Sequence, residues 1–420
     1  MLQKRNFSLL LSICIALFYQ SYIATNNNNF SPLINACYNG NIKIVRRLIA
    51  NGADVNASSV NGFTPLHCAI INGSIEMLNI LIAAGADINA VIKGGLTPLH
   101  CASLNGQTDI TNILIQSGAK IQTEDNYGYT PLHCASISNY LEVVRILVNE
   151  VTNVNIPDKY GLSPLHIAAE KGYSQIVYLL LKAGGDVSLA TDEGVLPLHC
   201  ASLSGDLETF NMLVAAGANI NAMTNNGTTA LHCASEYGHL DLALVCIKMI
   251  SNLDIADING ITPLIDASRF GHCDIAQALI NAGANIEATT NDGYTPLYSA
   301  AYNNQIETLC FLIKHRANVN TADNNGATAL NIAASSGHTQ IVQILIEAGA
   351  DLNLASNAGF TPLINAAAEG HLDLVHILIK AGANVNSTTT SGNTALKSAA
   401  FYGHSEIIDI LISAGSKINS

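Results

Sequence analysis

One period governs this chain. The tetrapeptide Thr64-Pro65-Leu66-His67 recurs as Thr97-Pro98-Leu99-His100 and as Thr130-Pro131-Leu132-His133. Related copies start at Ser163, Leu196, Thr229, Thr262, Thr295, Thr328, Thr361 and Thr394, and a weaker one at Ser31-Pro32-Leu33. Every step is 33 residues, eleven steps in all, so twelve repeats run from Ser31 to Ser420 without insertion or deletion. A chain of 420 residues would otherwise suggest about two or three domains. Repetition overrides that prior, because each short unit must bury its apolar face against its neighbours.

Each repeat reads the same way locally. Thr-Pro opens a helix: Thr caps free N–H groups, and Pro fits the first turn, where its missing donor costs nothing. Small residues such as Cys68-Ala69 follow, so this helix can pack closely. A Gly such as Gly73 or Gly106 separates it from a second helix with paired apolar positions, for example Ile176-Val177 and Leu180-Leu181. Gly-Ala (Gly85-Ala86, Gly217-Ala218) ends that helix, with Gly in the left-handed position. An Asn- and Gly-rich stretch such as Asn225-Asn226-Gly227 then turns the chain toward the next repeat.

These residues resemble ankyrin repeats, whose 33-residue period and T-P-L-H-x-A motif match about 390 of the 420 residues. The resemblance implies an all-α solenoid of stacked helix–turn–helix repeats with short β-hairpin fingers, preceded by a leader and spacer over residues 1–30. The ends fit that picture. Seventeen residues into each of repeats two to twelve stands an apolar residue, from Ile80 to Ile410, whereas repeat one has Arg47 beside Arg46 and Lys43. Lys397 stands where six internal repeats carry His. An array capped at both ends is expected to be an elongated monomer. Five departures in three repeats predict softer joints: Asn139 and Asn304 replace the inter-helix Gly, and Val151, Ile250 and Arg316 replace the Gly after the second helix. Those second helices are expected to end differently.

Apparent chemistry dissolves into the period. His-Cys recurs at His67-Cys68, His100-Cys101, His133-Cys134, His199-Cys200 and His232-Cys233. Zinc needs four ligands at about 2.0–2.3 Å, while neighbouring repeats sit roughly 10 Å apart. These His are therefore read as hydrogen-bonding between repeats and the Cys as small buried packing groups, with no metal and no cofactor expected. The ten cysteines are read as reduced thiols, since bridging needs Cα atoms within about 7 Å. A Gly-His pair at a fixed place in five repeats (Gly238-His239 to Gly403-His404) is likewise structural. No catalytic triad, phosphate loop or carboxylate pair stands out from the repeat background. An enzyme has no residues to rest on.

Composition narrows the partner. Apolar residues make up 49% and charged ones 12%, which excludes a disordered polymer. The balance of 18 Lys+Arg against 31 Asp+Glu, a net −13, argues against nucleic acid, because phosphate binding needs a basic footprint. The resemblance places a protein-binding surface on the finger tips and the exposed side of the first helices. Tyr127, Tyr129 and Tyr160 on successive tips, followed by Asp192-Glu193, are expected to make an aromatic-then-acidic ridge, with Tyr237 and Phe270 as a second cluster.

The first thirty residues carry a different signal. Lys4-Arg5 precede an apolar run from Phe7 to Tyr19, and small residues follow from Ser21 to Ala24, the layout of a secretory signal. The 18 residues from Phe7 to Ala24 are also at the lower edge of a membrane span, so a retained anchor is the alternative. The expected role is a protein-binding scaffold, secreted or membrane-anchored through this segment. Export into a host cytosol would reconcile an exported chain with free thiols. Fusing Met1–Asn29 to a reporter should export or anchor it, and charged residues at Leu9–Leu11 should abolish this. A reporter that stays cytosolic with both leaders refutes the signal.

Overall fold

A computed structural model describes residues 30–417. The leader, with its proposed cut or anchor, lies almost wholly outside the described residues. Within them are 24 helices, two per repeat, from Pro32–Tyr38 to Ser405–Ser413. None is long and apolar enough to cross a membrane. Two compact bodies divide near Asn219 and Ile220. In each body, first helices pack on neighbouring first helices and second helices on second helices.

The caps form as the residue types dictate. In the first helix of repeat two, Pro65–Asn72, the Thr64 side chain accepts the His67 amide, and Thr, Ser or Leu stands at this place in every other repeat. Leu196 has no hydroxyl and keeps only the amide bond that the Thr repeats also make, its N–H donating to His199 Nδ1 at 3.0 Å. The second helices bury one stripe: Met77, Leu78 and Leu81 in Ile75–Ala83, and Ile176, Val177 and Leu180 in Ser174–Lys182. Each such side chain, with the motif leucines Leu66 and Leu99, is fully buried and contributes about 1.5–3 kcal/mol. In repeat one the second helix buries Val45 alone, and Arg47 is exposed. Arg46 reaches Glu76 of repeat two at 3.1 Å.

The fingers differ from expectation. Among the described residues there is no strand, and only two isolated bridges occur, Ala322–Thr328 and Thr388–Thr394. Each finger is a tight turn too short for a ladder. In repeat three, Asp125 N–H donates to Tyr129 O at 2.9 Å and Gly128 N–H to Asp125 O at 3.0 Å. Asp125 Oδ1 accepts the amides of Tyr127 and Tyr129. Fingers then join tip to tip: Asn126 N–H donates to Gly94 O at 2.9 Å, and Lys159 N–H to Tyr127 O at 2.9 Å. Glycine is needed at the tip, since a Cβ on Gly128 (φ +85°) would lie 2.8 Å from Lys159 N.

The irregular joints divide into two kinds. The second helices Leu141–Glu150 and Leu240–Met249 end on extended Val151 and Ile250, as expected of β-branched residues that avoid a left-handed turn. Arg316 corrects the expectation. It takes φ +68° and preserves the glycine-type ending, as Asn139 (φ +60°) and Asn304 (φ +56°) preserve the inter-helix turn. Neighbour packing thus holds an arginine in a conformation that costs about 1 kcal/mol or more. Arg316→Gly should therefore raise the thermal midpoint, by about 0.5–1 kcal/mol of stability after the entropy cost of glycine. A calorimetric scan showing a lower midpoint would refute the strain.

Candidate protein-binding surface

The recurrent histidines correct the expectation: each ties its first helix to the finger of its own repeat, 29 residues on, instead of to a neighbouring repeat. The Thr97 amide donates to His100 Nδ1 at 3.2 Å, and His100 Nε2 lies 2.9 Å from Tyr129 O, at the end of the finger that leads into the next repeat. An amide donor at Nδ1 leaves the proton on Nε2, which donates to the carbonyl. His133, His166 and His232 reach Leu162, Val195 and Ile261 in the same way, at 3.0–3.1 Å. The Gly-His histidines point backward: Nε2 of His272, His338, His371 and His404 lies 3.0–3.1 Å from Glu236, Tyr302, Ser335 and Ala368 O. A Cβ on Gly238 would collide with the His272 ring at 2.5 Å, so that glycine makes room for the following repeat's histidine. Among the described residues nine cysteines are free thiols, and only Cys310 is exposed. No three His, Cys, Asp or Glu there gather as metal ligands.

Both fingers of the proposed tyrosine ridge stand in the first body. Tyr127 is 43% exposed and Tyr160 is 54% exposed, on tips linked by the Lys159–Tyr127 backbone bond. Asp192 and Glu193 are exposed on the following finger. Tyr129 is a correction. It is only 4% exposed, packs 5.7 Å from the His133 ring, and shares a cluster with Cys134 and Ile167. Two residues beyond Tyr127, it sits on the arm that turns back toward the helices, so it binds finger to helix and is closed to a partner. In the second body Tyr237 and Phe270 are exposed at matching places on consecutive first helices. The Tyr237 ring stacks near His239 at 6.3 Å, and the Arg269 guanidinium sits 5.5 Å from the Phe270 centroid. Sequence reasoning missed Asp266, a carboxylate buried to 9% exposure in the column where five repeats place Cys. Its signal was available: it is the one charged residue in that column.

A family model described as "Ankyrin repeats (3 copies)" matches residues 7–92, 91–158, 150–224, 198–290, 282–356 and 353–420. This chain belongs to the ankyrin-repeat family. No curated protein matches it. Ankyrin repeats indicate a protein-interaction scaffold, and no catalytic family is indicated.

The ankyrin histidine bridges make the first body acid-sensitive. Burial pulls His67, His100, His133 and His166 from an ordinary 6.5 to about 4, despite the backbone carbonyls that favour the proton. The unfolded chain therefore binds more protons between those values. The stability of the neutral bridges is complete above pH 6.5 and is lost as pH falls toward 4. Burial raises the Asp125 and Asp158 carboxyls, which offsets part of that loss at the acid end. In the second body burial also lowers His232, at the start, but the later repeats hold Ile265, Tyr298, Asn331, Ile364 and Lys397 at this place. Asn331 makes the same bonds without titrating: its Oδ1 accepts from the Thr328 amide at 2.9 Å and its Nδ2 donates to Phe360 O at 3.0 Å. Hydrogen exchange, corrected for intrinsic rates, should show residues 64–170 losing protection between pH 7 and 5 before residues 296–402. His133→Asn should flatten the response. Equal loss in both segments would refute this account.

Proposed function

We propose that this chain is a non-enzymatic scaffold that captures another protein on its finger tips and first-helix ends, as a monomer with no cofactor. The observation that carries the reading is the pair of exposed tyrosines, Tyr127 and Tyr160, on tips locked together by a backbone bond. Tyrosine offers large area, few rotatable bonds and a polar end, so holding it exposed on a rigid turn lowers the ordering cost of binding. The acidic pair Asp192-Glu193 on the next finger suits a partner with basic residues beside an apolar patch, and the net −13 argues against nucleic acid. Tyr237 and Phe270 form a second candidate contact in the other body.

The leader sets the setting in which this scaffold works. A signal-like start followed by an array of free thiols favours a secreted effector that meets a host protein in a reducing cytosol. A membrane-tethered adaptor, anchored through the same segment, is the second reading, favoured by the 18-residue length from Phe7 to Ala24.

A captured partner titrated against wild type and Tyr127→Ala/Tyr160→Ala should lose about 1–2 kcal/mol or more per tyrosine at unchanged melting temperature. Tyr129→Ala should instead lower the melting temperature by removing a buried ring, worth about 3 kcal/mol or more. Unchanged affinity in the double variant would remove the ridge as a contact.

A further inference from the structure

Asp266 stands on the first helix Pro263–Phe270 and is 9% exposed. Among the described residues its carboxylate takes no hydrogen bond and no ion pair, and only the charges of Glu236, Asp257 and Arg269 act on it. Its neighbours in the column, Cys233 and Ser299, are small and uncharged. The same helix face carries exposed Arg269 three residues on and exposed Phe270 four residues on, so this face opens to solvent. Arg269 would be the natural partner, yet its guanidinium lies over the Phe270 ring. Burial pushes the Asp266 carboxyl well above the usual carboxylate range, Glu236 and Asp257 push it further, and Arg269 opposes them. A carboxylate held this way is costly unless a cation arrives.

We propose that Asp266 receives an arginine side chain of the captured protein, entering beside Tyr237 and Phe270. This deepens the scaffold reading and rests on it. Arginine suits the place better than lysine: its guanidinium is planar, weakly hydrated, able to bond a carboxylate through two N–H groups, and able to stack on aromatic rings. The acidic surroundings, Glu236 on the preceding repeat and Asp257 on the finger between, complement such a group. Burial favours the protonated acid in the free chain, and an arriving guanidinium favours its ionised form. Removing an acid that no neighbour bonds should cost the fold little, so loss of binding and loss of stability are separable here.

The test uses the full chain and fluorescein-labelled octa-arginine, with octa-lysine and octa-glutamine alongside, read by anisotropy at fixed 0.15 M salt. Wild type should bind octa-arginine more tightly than octa-lysine and should not bind octa-glutamine. Asp266→Asn, and Asp266→Ser as in the neighbouring repeat, should each weaken octa-arginine tenfold or more while melting at or above the wild-type temperature. Glu208→Gln, an exposed acid of the other body, should change affinity less than twofold. Equal weakening by Glu208→Gln, absence of octa-arginine binding to wild type, octa-lysine binding as tightly, or a melting temperature lowered by several degrees in both Asp266 variants would each overturn the assignment. The scaffold reading is judged separately by protein capture with the Tyr127/Tyr160 variant, so intact capture with a failed arginine result removes Asp266 alone.

Discussion

Among the described residues of each body, hydrogen bonds recur at nearly the repeat length, closing the fingers within repeats and tying one repeat to the next. A finger-tip N–H reaches back to the preceding tip, as from Asn126 to Gly94, Ile258 to Asn226 and Asn357 to Asn325. An imidazole or amide reaches forward from the first helix to a carbonyl 29 residues on, as from His133 to Leu162 and from Asn331 to Phe360. A third link runs along the loops after the second helices, where Asn155 holds Gly184 O and the Asp186 amide at once. Because these links span 29 to 32 residues, just under one period, an inserted residue would break several at once. That is a physical reason for a register kept over eleven steps.

The same dependence divides the residues into frame and surface. His, Thr, tip glycines and Asn face neighbouring repeats and are consumed by the frame. What remains exposed at the tips and helix ends is unconstrained by stacking: Tyr127, Tyr160, Asp192, Glu193, Tyr237, Phe270 and the far-exposed Phe401. A binding surface built on such positions can vary without loss of fold. Asp266 is the exception. It occupies a frame position, where Cys or Ser would pack well, and it gains nothing there from its neighbours.

The irregular repeats show how far neighbours can override local preference. Arg316 and Asn304 in repeat nine are drawn into left-handed conformations that glycine would hold freely. Val151 and Ile250 refuse, and their helices run one residue further. The difference follows β-branching: two substituents at Cβ crowd the left-handed region, whereas the unbranched Cβ of Arg and Asn leaves it costly but reachable.

By itself the sequence determined the repeat length, the helix pairs and their caps, because these rest on local chemistry repeated twelve times: Thr-Pro starts, glycine stops, apolar pairs at helical spacing. It also determined that the His-Cys column is structural. The tertiary structure decided which chemically similar residues face outward. Tyr127 and Tyr129 differ by two positions on one turn, yet one is exposed and the other is packed on His133. It decided too that neighbouring fingers join through a tip backbone bond, seconded at several steps by an Asn or Thr side chain, instead of through strands, since such contacts between short turns cannot be read from composition. Asp266 was visible as an odd letter in a column, but its want of a partner depends on where the Arg269 guanidinium lies, and a side chain's choice between a ring and a carboxylate is settled only in three dimensions.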